Sequence, residues 1–426
     1  METAASARPC RLESFLSSTG SVDFEDAAAV ARRSGPTIPR AFGFVVAVVS
    51  LMLIFATAGA PAALYLTYES AYGVSQAVIA LAFGAYICSA AVTLVVFGRI
   101  SDYCGRRRVA VATLGIALAS CVVLAAAPGM GGVLLGRALQ GVAAGLGMSA
   151  VSAYVADLGG AGADTRRAQV ATSIGPTAGV ALGAAGAGLL VSVVPRPEVT
   201  IFAGLAVAQA LCAVVLVACP ETRDRRPGAL RSLRPAVGIP AGRGWVFAAI
   251  CLATVSCWAM GGFYQAMGPV VLADVFTGAP RAAGGLSVAA LIGVTPLGTV
   301  IAARLRRRSA IRAGLGCYAA GVVLVLVAVV TRDVALFFAA SMVAGIGFGM
   351  SFSSALGTVL VLSAPGELAG ALSAFYLISY LGAAVPAVVS GAVARTVGVY
   401  GVTLGYGALV VAAAGAAGLL VARRID

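Results

Sequence analysis

Residues 98–108, GRISDYCGRRR, form a short polar loop between two long apolar stretches, 77–98 and 109–127. Each stretch is about as long as the roughly 20 apolar residues that a membrane-spanning helix needs. Similar stretches lie near 41–66, 132–155, 168–193, 200–218, 245–272, 282–303, 310–330, 334–361, 368–393 and 397–421. The sequence therefore predicts an all-α membrane protein with twelve transmembrane helices.

The amino-acid composition excludes most classes of soluble protein. Of the 426 residues, 60% are hydrophobic and only 11% are charged, whereas soluble domains average about 45–50% apolar and about 25% charged residues. A soluble enzyme, a nucleic-acid-binding protein and a disordered scaffold are therefore excluded, although the net charge is +13.

The residues that carry most enzyme chemistry are missing. All 29 basic residues are arginine, and the chain has neither lysine nor histidine. The nine cysteines include no C-x-x-C pair, and without lysine there is no nucleotide-binding loop of the G-x-x-x-x-G-K-[ST] type. We therefore expect no metal, no cofactor and no catalytic residue, and both a membrane enzyme and an ATP-driven pump are disfavoured.

The polar loop recurs in the second half of the chain. Residues 298–308, GTVIAARLRRR, repeat its glycine and arginines, and GMSAVSA at 147–153 recurs as GMSFSSA at 349–355. Two matches at nearly the same offset predict two pseudo-symmetric six-helix bundles with a binding site between them. The predicted segments are an N-terminal tail (1–40), a first bundle (41–218), an arginine-rich linker (219–244), a second bundle (245–421) and a C-terminal tail (422–426).

Arginine is distributed unevenly between the two sides of these bundles. Twenty-four arginines fall in segments on the side of the termini, and four fall in the opposite loops. Because arginine is retained on the cytoplasmic side, both tails and the linker are predicted to be cytoplasmic. The expected location is the inner or plasma membrane, with the lipid bilayer as a partner and no nucleic acid.

The polar loop resembles the signature of the major facilitator superfamily, G-x-x-x-D-R-x-G-R-R between spans two and three. The matching residues are Gly98, Asp102, Gly105, Arg106 and Arg107. Tyr103 departs from the pattern, because the family often has a basic residue there. The resemblance implies the twelve-helix fold of that superfamily and a charged latch that holds the two halves together on the cytoplasmic side. The second copy has Ala302 in place of the acid, so only the first copy is expected to form this latch.

Span four contains Arg137-Ala-Leu-Gln140-Gly141, which is similar to the R-x-x-q-G-x-g-a-a element of the same superfamily. A charge inside a span is costly, so Arg137 should face protein or water and have a partner. The resemblance associates Arg137 with proton coupling, and snorkelling of its side chain to the membrane interface is the alternative. Glu69 is the best titratable candidate on the outer side, and we hypothesise that it forms a proton-sensitive pair with Arg137.

Span five contains Gly175-Pro176-Thr-Ala-Gly179, which resembles the G-x-x-x-G-P-x-x-G-G element of superfamily exporters that work as antiporters. The match is partial, because Ala171 and Val180 stand where the family has glycine. The resemblance implies outward transport. Close helix packing by the small residues is the alternative interpretation.

No acidic residue lies plainly in the middle of a predicted span, so the cavity should be mostly apolar with neutral hydrogen-bonding groups. Span seven, with Gly261 and Gly262 before Gly268-Pro269, is predicted to be a broken helix near the binding site. The candidate cavity residues are Tyr65, Gln140, Trp258, Tyr264, Gln265, Tyr376 and Tyr380.

Together these patterns predict a secondary active transporter that works by alternating access as a monomer. Its expected activity is proton-coupled export of a small amphipathic or drug-like molecule. The alternative is an uptake permease or uniporter for a sugar, an organic acid or another metabolite. A flux assay with a collapsed proton gradient separates the two, because a uniporter does not need the gradient for equilibration.

Overall fold

The computed structural model of the protein describes residues 38–160, 163–233, 235, 237–276, 278–364 and 367–424. Most of the predicted N-terminal tail (1–40) and the last two residues of the C-terminal tail (422–426) lie outside the described residues. The described part is almost entirely helical and contains no strand.

Within the described residues, eleven helices are long and apolar enough to cross a membrane. The last one, Leu368–Arg424, divides into two spans at Gly398, which has φ 75° and ψ 163°, a conformation that glycine adopts readily. The prediction of twelve spans in an all-α fold is therefore confirmed. They are Arg40–Gly59 with Pro61–Tyr72 (span 1), Gln76–Phe97 (span 2), Arg106–Ala125 (span 3), Met130–Leu146 with Gly147–Val151 and Ser152–Gly159 (span 4), Ala163–Val191 (span 5), Pro197–Val217 (span 6), Gly244–Val275 (span 7), Ala283–Ile292 with Thr295–Ala302 (span 8), Arg307–Thr331 (span 9), Val334–Leu362 (span 10), and the parts of Leu368–Arg424 before and after Gly398 (spans 11 and 12).

Span 7 is one continuous helix, so the prediction of a broken helix at this position is wrong. Pro269 removes one backbone donor, which a helix packed among other helices tolerates. Gly262, about two turns before Pro269, serves helix packing, because a Cβ there would meet the backbone oxygen of Ala383 in span 11.

The helix breaks lie in other spans. In span 1 the helical hydrogen bonding breaks at Ala60 and Pro61, and in span 8 it breaks at Gly293 and Val294, shortly before Pro296, although the backbone keeps helical dihedral angles at Ala60, Gly293 and Val294. Both breaks lie at or just before a proline, which cannot donate the helical hydrogen bond.

Small residues form the contacts between the two halves. Gly188 of span 5 lies against Gly285 of span 8, and Gly391 of span 11 lies against Ala80 of span 2. We call the face that carries residues 98–108, 218–243 and 303–306 the arginine-rich face, and the other one the opposite face. Because these glycine contacts lie toward the opposite face, the two halves are packed together there.

Candidate functional site

A cavity of about 400 Å³ lies between the two halves, within the volume range of ligand sites in proteins. It is lined by spans 1, 2, 4 and 5 of the first half and spans 7, 8, 10 and 11 of the second. Its lining residues on span 8 (292–299) and span 10 (348–356) belong to the part of each span nearer the arginine-rich face. The cavity therefore lies toward the arginine-rich face, and the packed halves separate it from the opposite face.

One wall of the cavity is aromatic and is built around Trp258 of span 7. Its ring centre lies 5.1 Å from that of Tyr380, 5.7 Å from that of Phe352 and 6.4 Å from that of Phe348. The Trp258 Nε1–H group is buried and has no hydrogen-bond partner in the described part of the chain. Since a buried indole N–H usually finds an acceptor, this donor is left unsatisfied in the present conformation.

The rest of the lining is apolar or carries neutral polar groups. The hydroxyl and amide side chains in it are Ser152, Thr172, Ser173, Thr177, Gln265, Thr295, Thr299 and Ser353. Among the described residues, no aspartate, glutamate or arginine lines the cavity. Because a charge without a counter-charge is costly to desolvate, this lining favours an uncharged or weakly charged molecule.

The structure divides the seven predicted cavity residues into two groups. Four line the cavity: Trp258, Gln265, Tyr376 and Tyr380. Three lie outside its lining: Tyr65, Gln140 and Tyr264. Tyr264 turns into the second half, where its hydroxyl lies 2.6 Å from Ser341 Oγ and its ring stacks on Phe337. Tyr65 is buried in the first half, and its hydroxyl has no hydrogen-bond partner among the described residues.

Arg137 is completely enclosed, with 1% of its surface exposed, so its side chain does not snorkel to the interface. Its Nη1 atom donates to Ala58 O at 3.0 Å and to Gln140 Oε1 at 2.6 Å. Its guanidinium carbon lies 4.5 Å from the ring centre of Tyr86. No carboxylate in the described part of the chain forms an ion pair with it. The charge is therefore held by a carbonyl, an amide and an aromatic face.

The break in span 1 explains why backbone acceptors are available to span 4. Pro61 has no N–H, so the carbonyl of Thr57, four residues earlier, loses its helical donor. Gln140 Nε2 donates to this carbonyl at 2.8 Å, while Arg137 donates to the following one. The two predicted functional residues of span 4 thus satisfy the backbone of span 1 at its break.

Glu69 lies beyond this break and away from Arg137. It is half-buried on the helix Pro61–Tyr72, toward the opposite face, where span 7 ends shortly after Asp274. The hypothesised pair of Glu69 with Arg137 is not formed in this conformation, because Arg137 has no carboxylate partner among the described residues.

The signature loop forms a network at the arginine-rich face. Arg106 Nη2 lies 2.7 Å from Asp102 Oδ1, and Arg106 Nε lies 3.4 Å from Asp157 Oδ2. The backbone N–H of Arg107 donates to Glu221 Oε1 at 3.0 Å. Gly105 has φ 96°, and a Cβ there would lie 2.7 Å from Glu221 Oε2. All these partners belong to the first half or the start of the linker. In this conformation the predicted latch joins spans 2, 3, 4 and 6, and its ion pairs among the described residues do not reach the second half.

The exporter-like element of span 5 contacts both span 1 and the cavity. A Cβ on Gly179 would meet the backbone oxygen of Met52, and one on Gly175 would lie 3.3 Å from Leu51. Pro176 lines the cavity. This element can therefore both pack closely against span 1 and contact a bound molecule.

Sequence reasoning missed several residues of the site. Phe352 lies in the repeated segment GMSFSSA, but its counterpart is Ala150, so the repeat identified the segment and not the aromatic ring. Phe348 and Tyr86 carry no motif. Asp157 and Glu221 are remote in sequence from the loop whose arginines they contact, and only their positions at the ends of spans 4 and 6 gave a signal.

Comparisons with known proteins agree with this architecture. The family model for the Major Facilitator Superfamily matches residues 43–387. The xylose transporter XylE from E. coli, in a partially occluded inward-open conformation, has a TM-score of 0.68 at 16% identity, covering 91% of this chain and 100% of that chain. A bacterial homolog of the human lysosomal transporter Spinster, inward-facing and unoccupied, has a TM-score of 0.72 at 14% identity, covering 91% and 98%. The nucleoside transporter NupG has a TM-score of 0.69 at 13% identity, covering 89% and 99%. At these identities the likeness concerns the fold alone.

One curated relative is similar over a short segment. The inner membrane transport protein YajR of Escherichia coli (strain K12) is 40% identical to this chain over 86 residues. The matched segment covers 20% of this chain and only 18% of YajR. The similarity is local and covers far less than two thirds of that protein.

Proposed function

The chain belongs to the Major Facilitator Superfamily, whose members are secondary transporters rather than enzymes, and we propose that it exports a small amphipathic or drug-like molecule in exchange for protons. The observation that carries this proposal is the cavity between the halves. It combines an aromatic wall with neutral polar groups and has no charged side chain in its described lining. Alternating access would be a rocking of the two bundles around this cavity.

The cavity chemistry supports the proposed substrate class. Trp258 and its aromatic neighbours offer flat apolar surfaces, and the buried Nε1–H offers one donor. A molecule with an aromatic or apolar body and a hydrogen-bond acceptor would use both. A volume of about 400 Å³ suits a drug-sized molecule.

The proposed outward direction is supported by the exporter-like element of span 5. Pro176 bends or loosens the helix where it borders the cavity, and Gly179 allows close contact with span 1. This element would let span 5 change its packing as the two halves rock.

Proton coupling is proposed to use Glu69, with Arg137 as a positioning residue. Glu69 belongs to the first half and Asp274 to the second, so closing the opposite face brings two carboxylates toward each other. A proton on Glu69 relieves the repulsion between them. Arg137 would act through the break in span 1, because it bonds to Ala58, just before the helix that carries Glu69.

We also propose how the protein is placed in the cell. The arginine-rich face would be cytoplasmic, because arginine is retained on that side during insertion. The protein would then lie in the cell membrane with both termini inside and act as a monomer, since each chain contains a complete cavity between its own two halves.

The proposed function predicts gradient-driven flux in proteoliposomes. With an acidic lumen, radiolabelled chloramphenicol, a neutral aromatic amphiphile, should accumulate through transporters whose arginine-rich face points outward. A protonophore should abolish the accumulation, because outward proton flow drives it. Glu69→Gln should uncouple the flux from the gradient. Glu198→Gln is the matched control, because Glu198 is a half-buried acid near the same face.

Two results would contradict this proposal. One is accumulation that ignores the proton gradient in the wild-type protein. The other is unchanged substrate-driven proton movement in both Glu69→Gln and Arg137→Ala proteins, since the account requires both residues for coupling.

The alternative is an uptake permease or uniporter for a sugar, an organic acid or another metabolite. The hydroxyl side chains that line the cavity support this alternative, since such groups bind polyhydroxyl compounds. The proteins of similar fold also include a xylose transporter and a nucleoside transporter. Equilibration of labelled xylose, uridine or lactate without a gradient, absent from protein-free vesicles, would favour this alternative.

A further inference from the structure

A second pocket lies at the arginine-rich face, on the first bundle and outside the central cavity. It has a volume of about 490 Å³ and lies where the linker crosses the end of span 2 and the start of span 3, against Leu146 in the middle of span 4. The lining residues that matter here are Phe97, Arg108, Val109, Leu146, Arg225 and Arg226. None of these residues takes part in the transport mechanism proposed above.

The rim of this pocket is strongly basic. Arg108 comes from the start of span 3, whereas Arg225 and Arg226 come from the linker, and all three are exposed. No aspartate or glutamate contributes to the lining among the described residues. The backbone N–H of Arg226 donates to Tyr103 O at 3.0 Å, which fixes the linker over the loop. The three arginines thus border one opening.

The floor of the pocket is apolar. Phe97 is the last helical residue of span 2 and is 37% exposed, and Val109 and Leu146 lie below it on spans 3 and 4. Next to the pocket, on the short linker helix Ala229–Ser232, Leu230 is 83% exposed. An exposed leucine beside basic residues at the end of a membrane span is typical of a segment that rests in the lipid interface.

We propose that this pocket binds one acidic phospholipid of the adjacent leaflet. The phosphate would lie among Arg108, Arg225 and Arg226, which offer fork-shaped donors that match a phosphate group. The start of an acyl chain would lie on Phe97 and Leu146. A basic pocket between span ends at the membrane surface is the arrangement that recognises anionic headgroups. The combination of charge with an apolar floor at headgroup depth favours a lipid over a soluble phosphate, which would use the arginines alone.

Native mass spectrometry of the full-length protein in detergent tests this proposal. Titration with phosphatidylglycerol should give a saturable one-to-one complex, and titration with phosphatidylcholine should give a much weaker one. The variant Arg108→Gln/Arg225→Gln/Arg226→Gln should bind phosphatidylglycerol at least about tenfold more weakly. The Leu146→Ser protein should also bind it more weakly, because the acyl contact is reduced.

The matched control removes the same charge from the second half. Arg304, Arg306 and Arg312 are exposed near the same face, and their replacement by glutamine should leave the affinity unchanged. An equal loss in both triple variants would mean that acidic lipid binds by diffuse charge alone and would overturn the proposal. Displacement of the lipid by glycerol 3-phosphate at similar concentration would also overturn it, because the site would then recognise free phosphate. The melting temperature of each variant in lipid-free detergent identifies any that fail to fold.

Discussion

Replacing Arg137 with alanine is expected to lower gradient-driven transport by roughly a hundredfold and to lower the free energy of unfolding by about 3 kcal/mol. The side chain is 1% exposed and donates two hydrogen bonds. Bonds from a charged donor contribute about 1.5–3 kcal/mol each. Alanine would leave the carbonyl of Ala58 and the amide of Gln140 without this donor at the break of span 1.

Initial transport rates in proteoliposomes and thermal unfolding in detergent measure the two effects. Arg137→Lys should recover part of the stability but little transport, because one ammonium group cannot reproduce the planar contacts with the carbonyl, the amide and the ring of Tyr86. Arg395→Ala is the control, since Arg395 is exposed, and it should change stability by less than about 0.5 kcal/mol. Wild-type transport by the Arg137→Ala protein would contradict the role assigned to this residue.

Replacing Trp258 with alanine is expected to raise the KM for an aromatic substrate about thirtyfold. The ring contacts three aromatic residues of the cavity wall, and buried aromatic anchors of this kind contribute about 2 kcal/mol or more to binding. Trp258→Phe should have a smaller effect, about fivefold, because it keeps part of the aromatic surface and removes one ring together with the Nε1–H donor.

The chain offers a matched control for this prediction. It has two tryptophans, and the other one, Trp245, is 79% exposed at the start of span 7. Trp245→Ala should leave KM unchanged. The concentration dependence of substrate flux measures all three variants. A KM for Trp258→Ala equal to that of the wild type would show that the substrate does not touch this wall.

The twelve spans and the two-bundle pattern could be predicted because bilayer thickness fixes the length of apolar stretches. The side of its helix on which each residue lies, toward the cavity, the protein core or the lipid, could not be predicted. Lipid-facing and core-facing surfaces are both apolar, so Tyr264 and Tyr380 look alike in sequence, although only Tyr380 lines the cavity. Prolines gave a similar ambiguity, because Pro61 accompanies a break whereas Pro269 lies inside a continuous helix.

The partners of the charged residues were also beyond the sequence. Arg106 and Asp102 are only four residues apart, but they lie in separate helices on either side of Gly105, so their closeness in sequence favours the ion pair without fixing it. The contacts with Asp157 and Glu221 depend on how spans 3, 4 and 6 pack together. The environment of Arg137 depends on the break in span 1, more than seventy residues away.

Proton binding at the opposite face is proposed to control which side of the cavity is open. Distances between spin labels test it most directly, in a background with the nine cysteines replaced. Ser192 and Arg281 report on the opposite face, and Thr165 and Arg304 report on the arginine-rich face; all four are exposed. Raising the pH should lengthen the first distance and shorten the second, because deprotonation gives Glu69 a negative charge near the carboxylate of Asp274. Glu69→Gln should suppress this response. Two distances that stay constant, or that change in the same direction, would contradict the account.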